Sequence, residues 1–224
     1  QTVRMDQTIR FDRLGLGDGL PQSHVTTIVQ DGSVGFMWFG TEEGLARYDG
    51  TEFKVYQHRV DGPSPLPSSS ITALALDARG RLWIGTDKGL VSYDVTADVF
   101  APVALAAPDA PAASVAVTAL FAAGESLWVG HGDGSVDRID VASRAIAHLG
   151  KPNGDQEGAL PVSALARDRD GSLWIGDEFG PWLLHFARAG RLLTAPIPLP
   201  GVRAPENAAG SPNLAGSKGF EGMA

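Results

Sequence analysis

An all-β chain of repeated four-stranded blades is the fold class this sequence predicts, and three observations carry the prediction. Trp38, Trp83, Trp128 and Trp174 stand 45, 45 and 46 residues apart, and a fixed period in that range marks a repeat array. Each tryptophan is followed two residues later by a glycine: Gly40, Gly85, Gly130 or Gly176. Each window divides into short alternating runs separated by Gly or Asp turns, as in ITALALDARGRLWIGTDKGLVSYD. That is the period of strands, not of helices.

The elements follow in order within each window. A first run such as Ile71 to Leu76 ends at the turn Asp77-Ala78-Arg79-Gly80, and a second run through Trp83 ends at Gly85; glycine supplies the positive φ that such tight turns demand. A third strand closes near Tyr48-Asp49, Tyr93-Asp94, Ile139-Asp140 and His185-Phe186. A fourth reads as Glu52 to Tyr56 and as Val99-Phe100. Four strands per repeat of this length make one blade of a β-propeller, with the tryptophan predicted to lie buried between adjacent blades. The windows near 25–60, 71–103, 115–149 and 162–194 then form a repeat domain over 1–194. Residues 9–14 read as an outer strand without a blade before it. Residues 195–224 form a Pro/Gly/Ala-rich tail, and 195–218 show no strand period, as in a long loop. Four blades lie at the minimum for a closed ring, so an incomplete or open propeller is expected.

Composition narrows the classes of function. The 28 glycines and 15 prolines supply the turns, and no apolar run approaches membrane-spanning length. The net charge of −8 carries no basic stripe, which argues against nucleic acid or an anionic membrane as partner. Without cysteine there is neither disulfide nor thiol chemistry. The sequence opens at Gln1 with no charged or apolar leader region, as a processed or excised secreted segment would. Neither a G-x-S-x-G elbow, an H-E-x-x-H pair nor a phosphate loop occurs.

The candidate site is the turn after each second strand. Thr41-Glu42-Glu43, Thr86-Asp87-Lys88, His131-Gly132-Asp133 and Asp177-Glu178-Phe179 occupy equivalent positions, and repeated loops on a rigid scaffold suit binding. Glu42, Glu43, Asp87, Lys88, His131 and Asp133 are the candidate ligand-binding residues. His131 alone interrupts a position otherwise held by Thr41, Thr86 or Asp177. Under an alternative reading Asp177 and Glu178 join Glu221 around Ca²⁺, since hard cations take several carboxylate oxygens. The bland account is that polar residues at a blade turn need no function. The turns Asp168-Arg169-Asp170-Gly171 and Asp133-Gly134-Ser135-Val136-Asp137 lack the full spacing of a calcium loop.

Two resemblances follow from particular residues. Asp18-Gly19-Leu20-Pro21-Gln22-Ser23-His24-Val25, then Trp38-Phe39-Gly40-Thr41-Glu42-Glu43-Gly44-Leu45, and the second copy Leu82-Trp83-Ile84-Gly85-Thr86-Asp87-Lys88-Gly89-Leu90 resemble the two-component regulator propeller repeats, over about residues 9–186. That resemblance implies a periplasmic sensor propeller binding a small-molecule or glycan-like ligand, attached to a membrane-anchored signalling output domain outside this sequence. Leu173-Trp174-Ile175-Gly176-Asp177-Glu178-Phe179-Gly180-Pro181, Gly190-Arg191-Leu192-Leu193 and Lys218-Gly219-Phe220-Glu221-Gly222-Met223-Ala224 resemble the secreted "esterase-like activity of phytase" family, over 165–224. Both resemblances imply a propeller; they differ in function.

The expectation is a periplasmic or secreted recognition module of a bacterial signalling protein, non-catalytic by itself and without cofactor. The alternative is a secreted calcium-dependent phytase-like phosphoesterase, as a fragment or chimera.

Overall fold

Each tryptophan window folds into one antiparallel sheet of four strands in sequential order. The computed structural model describes residues 13–32, 34–105, 116–149, 162–177, 182–187, 191–195 and 197–198. Blade 1 comprises β1 (Val25–Gln30), β2 (Met37–Thr41), β3 (Gly44–Tyr48) and β4 (Phe53–Tyr56). Blade 2 comprises β5 (Ile71–Leu76), β6 (Leu82–Thr86), β7 (Gly89–Asp94) and β8 (Val99–Val103). Blade 3 comprises β9 (Val117–Ala123), β10 (Ser126–His131), β11 (Val136–Asp140) and β12 (Ile146–His148). Blade 4 comprises β13 (Val162–Arg167), β14 (Leu173–Asp177), β15 (Trp182–Phe186) and β16 (Ile197–Pro198). The all-β propeller architecture read in the sequence is the one observed.

The Trp-x-Gly pair is explained at the junctions between blades. A Cβ added to Gly40 would lie 2.7 Å from Ile71 Cγ2, one at Gly85 2.7 Å from Val117 Cγ1, and one at Gly130 2.5 Å from Val162 Cγ1. Ile71, Val117 and Val162 each open the first strand of the following blade, so the glycine is the seat for its neighbour's first side chain. The Thr26 hydroxyl, 2.8 Å from the Ile71 carbonyl, and the Thr72 hydroxyl, which donates to the Val117 carbonyl, tie the same junctions. Both threonines sit where the first strand slips register against the second, and a bulge of this kind re-aims one side chain out of the ladder.

Three apolar cores fill the three junctions. Trp38 and Leu45 pack against Leu74, Leu82 and Ile84; Trp83 and Leu90 against Leu127, Val129 and Ile139; Trp128 and Val136 against Leu173, Ile175 and Leu184. At each junction, therefore, the forward face of one blade carries the tryptophan and the backward face of the next carries branched aliphatics. Trp38, Trp83 and Trp128 are 0%, 0% and 3% exposed, which suits rings whose burial dominates the energetics of such contacts.

The structure differs from expectation in three places. Trp174 is only half-buried, because among the described residues no further blade covers the forward face of blade 4. Ile197–Pro198 pairs with β15, so the fourth sheet extends past residue 194 into the stretch read as tail; two residues, one of them proline, are too few to show an alternating pattern. Of the outer strand read at 9–14, Arg13 and Leu14 lie outside any strand, while 9–12 lie outside the described residues.

Candidate functional site

The turns after β2 and β6 are built by one threonine each. Thr41 Oγ1 donates to the Gly44 carbonyl at 2.8 Å and accepts the Glu43 N–H at 3.2 Å. Thr86 Oγ1 repeats this with the Gly89 carbonyl at 2.9 Å and the Lys88 N–H at 3.1 Å. Both threonines are buried, their hydroxyls consumed within the turn, and the intervening Glu42, Glu43, Asp87 and Lys88 are exposed. Because the turns are equivalent in successive sheets, these side chains stand on one side of the array. Glu42 is held by Gln22, whose Nε2 donates to Oε2 at 3.2 Å, and lies 3.4 Å from His24 Nδ1. Gln57 Nε2 donates to the Glu43 carbonyl at 2.7 Å. Asp133 is exposed in the corresponding turn of blade 3, where its Oδ1 accepts the Ser135 N–H at 3.0 Å and hydroxyl at 2.6 Å.

His131 departs from this row. It is 2% exposed, and its Nε2 lies 2.9 Å from Asp137 Oδ2. The other oxygen of Asp137 lies 2.8 Å from His148 Nδ1, so one buried carboxylate bridges two imidazoles. His131 therefore does not stand among the exposed turn side chains: it is buried like Thr41 and Thr86 at the same position, but where they spend their hydroxyls on the turn backbone its ring bonds the Asp137 carboxylate. The sequence reading weighed Asp137 only as the end of a calcium-loop-like turn and missed its pairing with His131 and His148. One signal was available, since Asp137 occupies the backward-face position held by Ala46, Val91 and Leu184. Two adjacent departures from the repeat compensate each other.

The residues proposed for Ca²⁺ are not brought together by the described part of the chain. Asp177 ends β14, and Glu178 and Glu221 lie outside the described residues. Among the described residues no group of three or more His, Asp or Glu is placed to hold a metal ion. The Asp-rich hairpin turns satisfy themselves: Asp170 Oδ1 accepts the Ser172 N–H at 2.8 Å, and the Ser172 hydroxyl and N–H hold the Asp170 carboxyl below its ordinary range. Asp49 does the same between β3 and β4, where the N–H of Glu52 and then the hydroxyl and N–H of Thr51 lower its carboxyl to about 2. At the rim of the first junction Asp98 bridges Tyr93 Oη at 2.6 Å and Lys54 Nζ at 3.2 Å, contacts that lower its carboxyl.

This combination of blades with polar turns along one side defines the chain as a β-propeller repeat protein. The chain belongs to the phytase-like family, "Esterase-like activity of phytase", whose model matches residues 67–224, a longer stretch than the C-terminal motifs alone. The extracellular domain of the hybrid two-component system BT3049 of B. thetaiotaomicron is similar over 82% of this chain and 26% of its own, at 25% identity and a TM-score of 0.69. The extracellular domain of the one-component system BT4673 of the same organism matches 88% of this chain and 24% of its own, at 18% identity and a TM-score of 0.64, a likeness of fold. Histidine kinase P4 of Formosa agariphila is 44% identical over 55 residues, 25% of this chain and 4% of the kinase. The chain thus spans about a quarter of the two solved domains and a small part of the kinase.

Proposed function

We propose that this chain is an extracytoplasmic recognition segment of a signalling protein, using the exposed turn residues Glu42, Glu43, Asp87, Lys88 and Asp133 to bind a small polar ligand of oligosaccharide type. The observation that carries this reading is the division of labour within the turns of blades 1 and 2. Thr41 and Thr86 spend their hydroxyls on the backbone, which fixes the turn and leaves the charged neighbours free of any part in holding it. Exposed carboxylates and one ammonium along a side suit a polyhydroxylated ligand, whose hydroxyls donate to carboxylates and accept from lysine. The similarity to the extracellular domain of a hybrid two-component system supports a sensor role, periplasmic or secreted. Among the described residues no helix is long and apolar enough to cross a membrane; this reading assigns the output domain and its anchor to other parts of a longer protein.

The family match favours a second reading, a calcium-dependent phosphoesterase using Asp177, Glu178 and Glu221. Saturation-transfer NMR against a panel of neutral and acidic oligosaccharides, run beside a p-nitrophenyl phosphate assay with calcium and with chelator, separates the two. The recognition reading expects oligosaccharide signals and no turnover. Calcium-dependent turnover that Asp177→Asn abolishes would favour the hydrolase.

A further inference from the structure

Blade 3 departs from blade 2 along one line of side chains. On its backward face, cross-strand partners run Leu120, Val129, Asp137, His148, where blade 2 runs Leu74, Ile84, Val91, Pro102. An acid and an imidazole thus replace two apolar residues, and His131 ends β10 beside them as Thr86 ends β6.

A carboxylate only accepts hydrogen bonds, so the contacts assign the tautomers. His131 donates Nε2–H to Asp137 Oδ2 at 2.9 Å, and His148 donates Nδ1–H to Oδ1 at 2.8 Å. Two neutral imidazoles therefore satisfy both oxygens. Their remaining nitrogens differ. Nδ1 of His131 is buried with no hydrogen-bond partner, whereas the His148 side chain is 39% exposed. A first added proton goes to His148, where water accepts the new N–H and the imidazolium faces the carboxylate. A second has to enter at His131 Nδ1, which makes a buried donor without an acceptor and sets two cations on one carboxylate.

The surrounding elements hold few other charges. Among the described residues the ionic partner of His131 is Asp137. Strand β9 has no titratable residue, and in β11 Arg138 and Asp140 alternate onto the opposite face. In blade 4, β14 ends at Asp177 and Arg167 lies at the far end of β13; in blade 2, Tyr93 and Asp94 lie at the far end of β7. Asp133 in the turn itself, and Asp87 and Lys88 in the turn of blade 2, are exposed.

We propose that the bridge of His131, Asp137 and His148 is a proton-gated latch beneath the blade 3 turn: it holds with no proton or one proton added, and a second, on His131, releases the ring and loosens the turn that presents Asp133. The turn is tied through His131, whose N–H donates to the Ser135 carbonyl at 3.0 Å and whose carbonyl accepts the Gly134 N–H at 3.1 Å. The turns of blades 1 and 2 are tied by threonine hydroxyls, which do not titrate. Acid therefore acts on one turn of the row and spares two. Its consequence for ligand rests on the recognition role proposed above, but the latch itself is read without ligand.

The test is NMR of the ligand-free, full 224-residue chain from about pH 7.5 to about pH 4.5, the range in which histidines change charge. Ring-nitrogen shifts give the order of protonation, and amide exchange corrected for intrinsic rates gives the state of the turn. His148 should charge first while His131 stays in its neutral Nε2–H form. Charging of His131 should coincide with a loss of protection of about tenfold or more at Gly132 and Gly134, while the Glu43 and Lys88 amides keep theirs. His148→Gln retains a donor to Asp137 and should move that loss to higher pH. His131→Thr with Asp137→Val should abolish it. A His131 that charges before His148, a turn that keeps its protection throughout the range, or a loss that persists in the double variant would each overturn the latch. Failure of oligosaccharides to bind would sink the recognition reading and leave these readouts unchanged.

Discussion

The Asp77 carboxylate accepts the indole N–H of Trp83 at 2.9 Å inside the sheet of blade 2. Its other oxygen accepts the N–H groups of Arg79 at 2.9 Å and Arg81 at 3.0 Å, so one buried side chain shapes the β5–β6 turn and anchors the tryptophan that fills the next junction. Asp77→Ala leaves an indole N–H and two turn N–H groups without this acceptor. Bonds to a charged group are each worth about 1.5–3 kcal/mol, and a loss of at least that size is expected in urea unfolding. A loss below about 0.5 kcal/mol would show that the turn holds without it.

Gly130→Ala should destabilise by about 1–3 kcal/mol as overpacking, because the new methyl falls 2.5 Å from Val162 Cγ1. Val162→Ala in the same chain should restore part of the loss, which a double-mutant cycle measures as a favourable coupling between residues 32 apart in sequence. Additive effects would contradict the contact.

The bridge of His131, Asp137 and His148 predicts a rescue. Asp137→Ala removes the partner of two imidazoles, one buried, at a cost of about 1–3 kcal/mol. The double change His131→Thr with Asp137→Val installs the residues that blade 2 carries as Thr86 and Val91, and should restore most of that stability, since apolar replacement of a buried charged group is often neutral or favourable. A double variant weaker than Asp137→Ala, by thermal melt, would show that the bridge is not a compensated substitution.

Acid stability should respond to the hairpin aspartates. The Glu52 and Thr51 donors lower the Asp49 carboxyl from its ordinary 3.8 to about 2, and the Asp140 and Asp170 carboxyls are lowered by Ser143 and Ser172. A carboxyl lowered on folding contributes stability that is present above its unfolded value and disappears as pH falls through the folded one. The urea midpoint should therefore drop between pH 4 and pH 2, and Asp49→Asn should flatten that drop. A midpoint constant across this window would contradict the assignment.

The blades were legible because Trp-x-Gly recurs and because strand alternation is local. What each glycine is for was not, since Gly85 and its occupant Val117 meet only after blade 3 packs on blade 2. The turn residues Glu42 to Lys88 were legible as a row by repeat position alone. His131 was visible as an exception, but its partner Asp137 had to be found by asking which backward-face position lacked an apolar residue. Ile197–Pro198 was hidden because edge strands of two residues carry no periodicity.

Recognition by the exposed turns is the claim on which the functional account rests, and isothermal titration tests it most directly. An oligosaccharide that gives a saturation-transfer signal should bind the wild type with measurable heat. Glu42→Ala with Glu43→Ala, and separately Asp87→Ala with Lys88→Ala, should weaken that binding at least tenfold, about 1.4 kcal/mol, with unchanged thermal melts. Affinity unaltered in both variants, or no oligosaccharide bound at all, would contradict it.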